Sequence, residues 1–235
     1  METLVVSKVS VVLRLNFNME QIDNQSETWE RIRDEAGVLF MRYGIRSVSM
    51  DDIAVSMGIS KKTIYQHFKD KDELVEAIIV MRNRQIQEDC LSSRAAAINA
   101  VEEVFLTMDR ITAHMGSVNP ALLYDLHKFH FGAYQKFQEI RQQFLFQVTR
   151  NNMERGILEG LYREDVDLDV LSKFRLESMM APFNMELYPA SKYNILDVTR
   201  TILEHWIYGL VTPKGYELIT LYKQQRHNTS KYEKR

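Results

Sequence analysis

From Ser49 to Leu74 the chain reads SMDDIAVSMGISKKTIYQHFKDKDEL. Ser49 stands before two carboxylates, Asp51 and Asp52, the arrangement that caps a helix start and suits its dipole. Ile53, Ala54 and Met57 form a short apolar face, and Gly58 ends it. Ile59 follows, and Ser60 is placed to cap a second helix, Lys61 to Phe68. Asp70 caps a further helix with Leu74, Val75, Ile78 and Ile79 on its inner face. Helix, Gly-containing tight turn, helix is the layout of a helix-turn-helix, whose second helix enters the major groove of DNA. Ile53, Ala54, Met57, Ile59, Ile64 and Phe68 pack the two helices together. Lys61, Lys62, Thr63, Gln66 and His67 occupy the other side of the second helix, with Tyr65 at its flank, and all are donors suited to phosphates or base edges. Read without further context, the same pattern also describes two ordinary surface helices with a polar face.

The charge in this stretch is local. Residues 58–71 hold four lysines and one aspartate, net +3, in a chain of 235 residues whose formal charge is -2. Nucleic-acid binding must therefore come from placement of charge rather than from its total. With 45% apolar residues, 9 Gly, 4 Pro and 1 Cys, collagen-like, disordered and disulfide-scaffold classes are excluded. Cys90 cannot form an internal disulfide, and no apolar run approaches the length of a membrane helix. A cytoplasmic protein with no membrane partner is expected.

Upstream, Trp29, Ile32, Ala36, Leu39, Phe40 and Tyr43 recur at helical spacing from Glu27 to Gly44. Residues 1–24 do not match this pattern. A disordered arm, an upstream extension from a different start codon and a docked strand or helix compete there, and the first is expected. Downstream the chain reads as longer helices: a stripe of Ile98, Val101, Val104, Phe105, Met108 and Ile111; a helix opened by Asn119 and Pro120; a stripe of Phe137, Ile140, Phe144, Leu145 and Val148; then helices of about 168–182 and 195–210, and a short one over 215–223. The spacing predicts an all-α fold of nine or ten helices. It divides into a DNA-binding unit over 25–72, a helical ligand-binding and dimerisation bundle over 73–223, and a basic tail over 224–235.

Residues 27 to about 75 resemble the N-terminal DNA-binding domain of the TetR family of transcriptional regulators. The resemblance rests on Ala36 and Phe40, Tyr43-Gly44, Ser49, Asp52-Ile53-Ala54, Met57-Gly58-Ile59-Ser60-Lys61, Thr63-Ile64-Tyr65-Gln66-His67-Phe68, Lys71 and Leu74. It covers about a fifth of the chain and implies roles residue by residue. Ser60, Tyr65 and Lys71 fall where the DNA backbone is touched. Lys61, Lys62, Thr63, Gln66 and His67 fall on the recognition helix. Ser49 caps the preceding helix and is placed to donate to a phosphate.

Catalytic patterns are absent: the sequence has no Gly-rich phosphate loop and no nucleophile elbow. His127 and His130 share a helix face, but nothing nearby completes a metal site, so no metal and no cofactor are expected. Phe105, Met108, Phe129, Phe137, Phe144, Phe174 and Met179 are candidates to line a cavity for a small apolar or amphipathic ligand, because Met and aromatic side chains adapt to varied apolar molecules. The expected function is a homodimeric repressor that leaves a palindromic site on double-stranded DNA when a ligand binds. The dimer is expected through the helices of 168–182 and 195–210, including Trp206 and Ile207. Two other classes remain: a DNA-binding regulator without a small-molecule effector, and a helical enzyme or interaction protein.

Overall fold

A computed structural model describes residues 26–115 and 119–232, the side chains of 114, 115 and 227–232 excepted. The expectations for residues 1–24 and for the end of the tail lie outside the described residues. Helix α1 (Glu27–Tyr43) starts at Ser26, whose hydroxyl accepts from the Trp29 N–H, and buries Ile32, Ala36 and Phe40. Gly44 closes it at φ 86, a backbone conformation that side chains disfavour. Helix α2 (Met50–Met57) begins with a full capping box between Ser49 and Asp52 and ends at Gly58 in the left-handed conformation, φ 65.

Helix α3 spans Lys61–Tyr65, shorter than predicted. Beyond Tyr65 the backbone tightens: the Gln66 N–H reaches both Lys62 O and Thr63 O, and the His67 N–H reaches Ile64 O at 3.0 Å. That turn delivers Phe68 into the core, where it stacks on Trp29 with ring centroids 5.0 Å apart. Helix α4 (Lys71–Ala96) is capped by Asp70 and runs 26 residues, about 39 Å at 1.5 Å per residue. The first core comprises Ile32, Phe40, Ile45, Ile53, Ile64, Phe68, Leu74 and their neighbours, drawn mainly from α1 to α4 and completed by Leu126 and Ala133 from farther along the chain.

The remainder follows in order as α5 (Ala100–Met115), α6 (Ala121–Phe129), α7 (Phe131–Glu139), a π-helical segment (Ile140–Leu145), α8 (Phe146–Leu158), α9 (Leu168–Ser178), a 3-10 turn (Ala181–Phe183), α10 (Ile195–Leu210) and α11 (Pro213–Tyr232). The molecule is all-α; among the described residues the only β feature is an isolated bridge between Tyr162 and Val211. A second core gathers Val101, Phe105, Met153, Tyr162, Leu203, Trp206, Ile207, Leu210 and Ile219.

Several details correct the sequence reading. Ile98 is 78% exposed in the turn before α5 and belongs to no stripe. The final helix continues to Tyr232 rather than closing near Lys223. Trp206 and Ile207, expected on the dimer face, are buried within the protomer. The π segment adds a residue to its turn, so side chains after Ile140 no longer follow the 3.6 period that the stripe through Phe144 assumed.

Candidate nucleic-acid interface

Helix α3 lies on the first core through Ile64, so its other positions face out. Ser60 caps it: the hydroxyl accepts from the Thr63 N–H at 3.1 Å and pairs with Thr63 Oγ1 at 2.8 Å. Lys61 and Lys62 are exposed, as is Gln66, and Tyr65 is 45% exposed. Lys61 Nζ meets Asp51 Oδ2 at 2.8 Å, and that carboxylate holds the ammonium above its ordinary range. Both groups are solvated, so the pair is weak and exchangeable. At the start of α2 the Ser49 hydroxyl donates to Asp52 Oδ2 at 2.7 Å, and the same oxygen accepts the Ser49 N–H at 2.7 Å. These two bonds hold Asp52 below the ordinary carboxylate range.

Six of the nine predicted contact residues therefore gather on α3 and its ends: Ser60, Lys61, Lys62, Thr63, Tyr65 and Gln66. Ser49 sits at the N-terminus of α2 with its hydroxyl proton engaged by Asp52. The other two turn back toward the protein. His67 is half-buried, its Nδ1 3.5 Å from Ser26 Oγ. Lys71 Nζ donates to Ile45 O at 2.5 Å and Val48 O at 2.6 Å, over the Phe40 ring. Burial pushes that ammonium down from its ordinary value. Two of its three N–H bonds thus tie the loop before α2 to the start of α4, a role no sequence pattern announces. Arg46, not among the residues expected from the sequence, is exposed in that loop with its guanidinium 5.5 Å above the Phe129 ring. A basic residue just ahead of the Ser49 cap was the available signal.

Behind this unit lies a cavity of about 330 Å³. Its walls come from Val75, Ile78, Ile79 and Ile86 of α4, Val104, Met108 and Ile111 of α5, Leu126, Phe137, Val148, Met179 and Trp206, and it extends to Phe40, Met41 and Ile45 of the first unit. Of the seven predicted lining residues, Met108, Phe137 and Met179 line it. The other four lie elsewhere. Phe105 is buried against Tyr222, with Arg226 over its ring. Phe129 is 44% exposed beneath Arg46 and Lys128. Phe144 is half-buried away from the cavity, and Phe174 is 51% exposed on the outside of α9.

The two units are tied directly. The Arg46 N–H donates to Asp125 Oδ2 at 2.9 Å and the Asn119 N–H to Met41 O at 2.7 Å. His130 Nδ1 lies 2.5 Å from Asp72 Oδ1. Cys90 is buried, and burial pushes its thiol up to about 12, which disfavours the thiolate. Among the described residues no group of His, Cys, Asp and Glu is placed to hold a metal ion, and no helix is long and apolar enough to cross a membrane.

Comparison with known proteins agrees with this geometry. Residues 32–78 match the family described as bacterial regulatory proteins, tetR family. The chain is 32% identical over 108 residues to the HTH-type transcriptional regulator YvaF of Bacillus subtilis, an alignment covering 45% of this chain and 55% of that protein. It is 24% identical over 190 residues to the HTH-type transcriptional repressor KstR2 of Rhodococcus jostii, covering 77% and 89%. Among solved structures, a transcriptional regulator of Saccharomonospora viridis in complex with choline superposes with a TM-score of 0.66 at 18% identity, covering 80% of this chain and all of that one. The ketosteroid regulator KstR2 of Mycobacterium tuberculosis gives 0.52 at 18% identity, covering 80% and 97%. The motif of α1 to α4, its geometry and these likenesses agree: residues 32–78 are a DNA-binding unit of the TetR family of transcriptional regulators, in a chain similar over most of its length to regulators of that kind.

Proposed function

We propose that the protein is a homodimeric repressor whose α3 reads a palindromic site on double-stranded DNA and whose cavity takes a small apolar or amphipathic ligand that releases it. The observation that carries this reading is the position of α4. Its first turns bury Leu74 and Val75 in the DNA-binding core, and its next turns, Ile78 to Ile86, wall the cavity. A ligand that prefers a different placement of α4 changes the position of α3 as well, and differential affinity for the two placements is what shifts the population. The cavity also weighs against a regulator without a small-molecule effector.

In this reading Lys62, Lys61, Ser60 and Tyr65 meet phosphates, and Gln66 and Thr63 meet base edges. Lys71 acts mainly by holding the loop of Ile45 to Val48, and Arg46 adds a cation at the edge of the interface. A monomer presents one recognition helix, so two protomers on a symmetry axis are needed to read adjacent major grooves. The outer faces of α9 and α10 suit that contact: Val170 and Phe174 are exposed and apolar, and nothing stands within 4 Å of the position of a Cβ on Gly209. Phe174→Glu is expected to give monomers by light scattering and to weaken binding to selected operator DNA. A stable dimer in that variant contradicts this interface.

A further inference from the structure

The cavity wall is apolar along most of its length, yet it carries a cluster of buried donors that the described residues leave only partly satisfied. Arg175 of α9 is 7% exposed and has no carboxylate partner among the described residues; its polar contact is with Ser178 at 3.4 Å. Its guanidinium lies 5.3 Å from the centroid of the Trp206 ring, and the indole N–H of Trp206 is buried without a hydrogen-bond partner. Arg141 of the π segment is 8% exposed; it reaches Glu177 through one terminal nitrogen at 3.1 Å, while its Nε–H is buried and unpaired. Glu177 lies two residues from Arg175, so this ion pair brings both arginines to the same turn of α9. All three side chains line the cavity.

A buried cation without a counter-ion is costly to the fold, and so are buried N–H groups without acceptors. Burial pulls the Arg175 guanidinium down to about 10, and no partner offsets that pull. Among the described residues neither carboxylate of this wall pairs with Arg175: Glu103 is held by Arg94 and Arg155, both at 2.8 Å, and Asp89 accepts from Gln85 at 3.4 Å. We infer that the cavity is built for an amphipathic carboxylate, with the acid group seated on Arg175, Arg141 and the Trp206 N–H and the apolar body extending between α4 and α5. A carboxylate offers the four lone-pair sites these donors lack, and guanidinium–carboxylate bonds are the strong, directional kind. A neutral alcohol leaves the arginine charge uncompensated, and a quaternary ammonium meets charge of its own sign.

This inference rests on the cavity being the effector site, and the test separates the two. Dodecanoate, 1-dodecanol and dodecyltrimethylammonium, each below its micelle concentration, are titrated into the full chain by calorimetry and into its complex with selected operator DNA by fluorescence anisotropy. Dodecanoate is expected to bind about tenfold or more tighter than the other two, the lower end of what hydrogen bonds to a charged group contribute. Arg175→Met is expected to remove that preference, with Arg141→Met reducing it. Both variants are expected to keep the helical circular dichroism spectrum, and Arg175→Met to keep or raise the melting temperature because it removes an uncompensated buried charge. Arg175→Lys, which keeps the charge, is expected to retain part of the preference. Equal or tighter binding of the alcohol or the ammonium, a preference that survives both Met variants, or no binding by any probe overturns the inference. Tight, Arg175-dependent dodecanoate binding that leaves the operator complex intact upholds the ligand class and overturns the effector reading.

Discussion

The DNA-binding unit and the bundle behind it are built to different standards of completeness. From Ser26 to Val75 every helix carries its own cap, the core residues Ile32, Ile53, Ile64, Phe68 and Leu74 are wholly buried, and no described side chain is left with a buried, unpaired polar atom. Among the described residues the buried orphans all fall later, on Arg82, Ser93, Gln138, Arg141 and Trp206. The bundle also contains the π segment and most of the cavity wall, which Phe40, Met41 and Ile45 of the first unit complete. A unit that presents one fixed helix to a groove gains from a saturated, close-packed interior. In the proposed function the bundle keeps space and unsatisfied donors for a ligand at the cost of stability.

Truncation is expected to expose this contrast most strongly. Phe68→Ala removes a fully buried ring stacked on Trp29, at a cost of about 3–5 kcal/mol, measured by urea unfolding followed by circular dichroism. Phe137→Ala, at the wall of an existing cavity, is expected to cost less than half as much. Equal costs break the comparison. Within α3, Gln66→Ala is expected to lose about 1–3 kcal/mol on the preferred sequence and to relax one base pair per half-site. Tyr65→Phe is expected to weaken preferred and random duplexes alike. If the tyrosine variant changes the selected motif and the glutamine variant does not, the base-reading face is turned toward Tyr65.

Smaller effects follow from single charges and caps. Lys62→Ala is expected to flatten the slope of log K against log salt by about one unit. Lys71→Ala is expected instead to lower stability by releasing the carbonyls of Ile45 and Val48, with a smaller change in slope. A full unit lost with Lys71 and none with Lys62 reverses these assignments. Ser49→Ala removes the capping box, for about 1 kcal/mol. Asp52, held below its ordinary value of 3.8, adds stability that is fully present above that pH and is lost as pH falls through its lowered folded value. Thermal unfolding between pH 5 and pH 2 checks the sign: Ser49→Ala and the parent are expected to converge at the acid end.

What was legible in the sequence follows the same division. Ser49, Gly58, Ser60 and Asp70 act on backbone within a turn of themselves, so the starts of α2, α3 and α4 could be read directly. The end of α3 could not, because its tightening at Gln66 depends on Phe68 finding Trp29 at the start of α1. Lys71 reads as a free cation until the loop that its ammonium caps is placed. In the bundle an aromatic residue at helical spacing has the same signature on the cavity wall, as Phe137; in the packed core, as Phe105; and on the outer face, as Phe174. Past Ile140 the π turn shifts the register itself. Arg141 and Arg175 look like any surface arginines, since only the tertiary packing removes them from water.

The most direct test of the whole account is in vitro selection of random duplex DNA by the full-length chain. An enriched palindrome is expected, with half-sites one helical turn, or a multiple of it, apart. Loss of that enrichment is expected when Lys62 and Gln66 are replaced together by alanine in a chain that still unfolds cooperatively. Absence of an enriched sequence, or a motif that survives the double substitution, contradicts it.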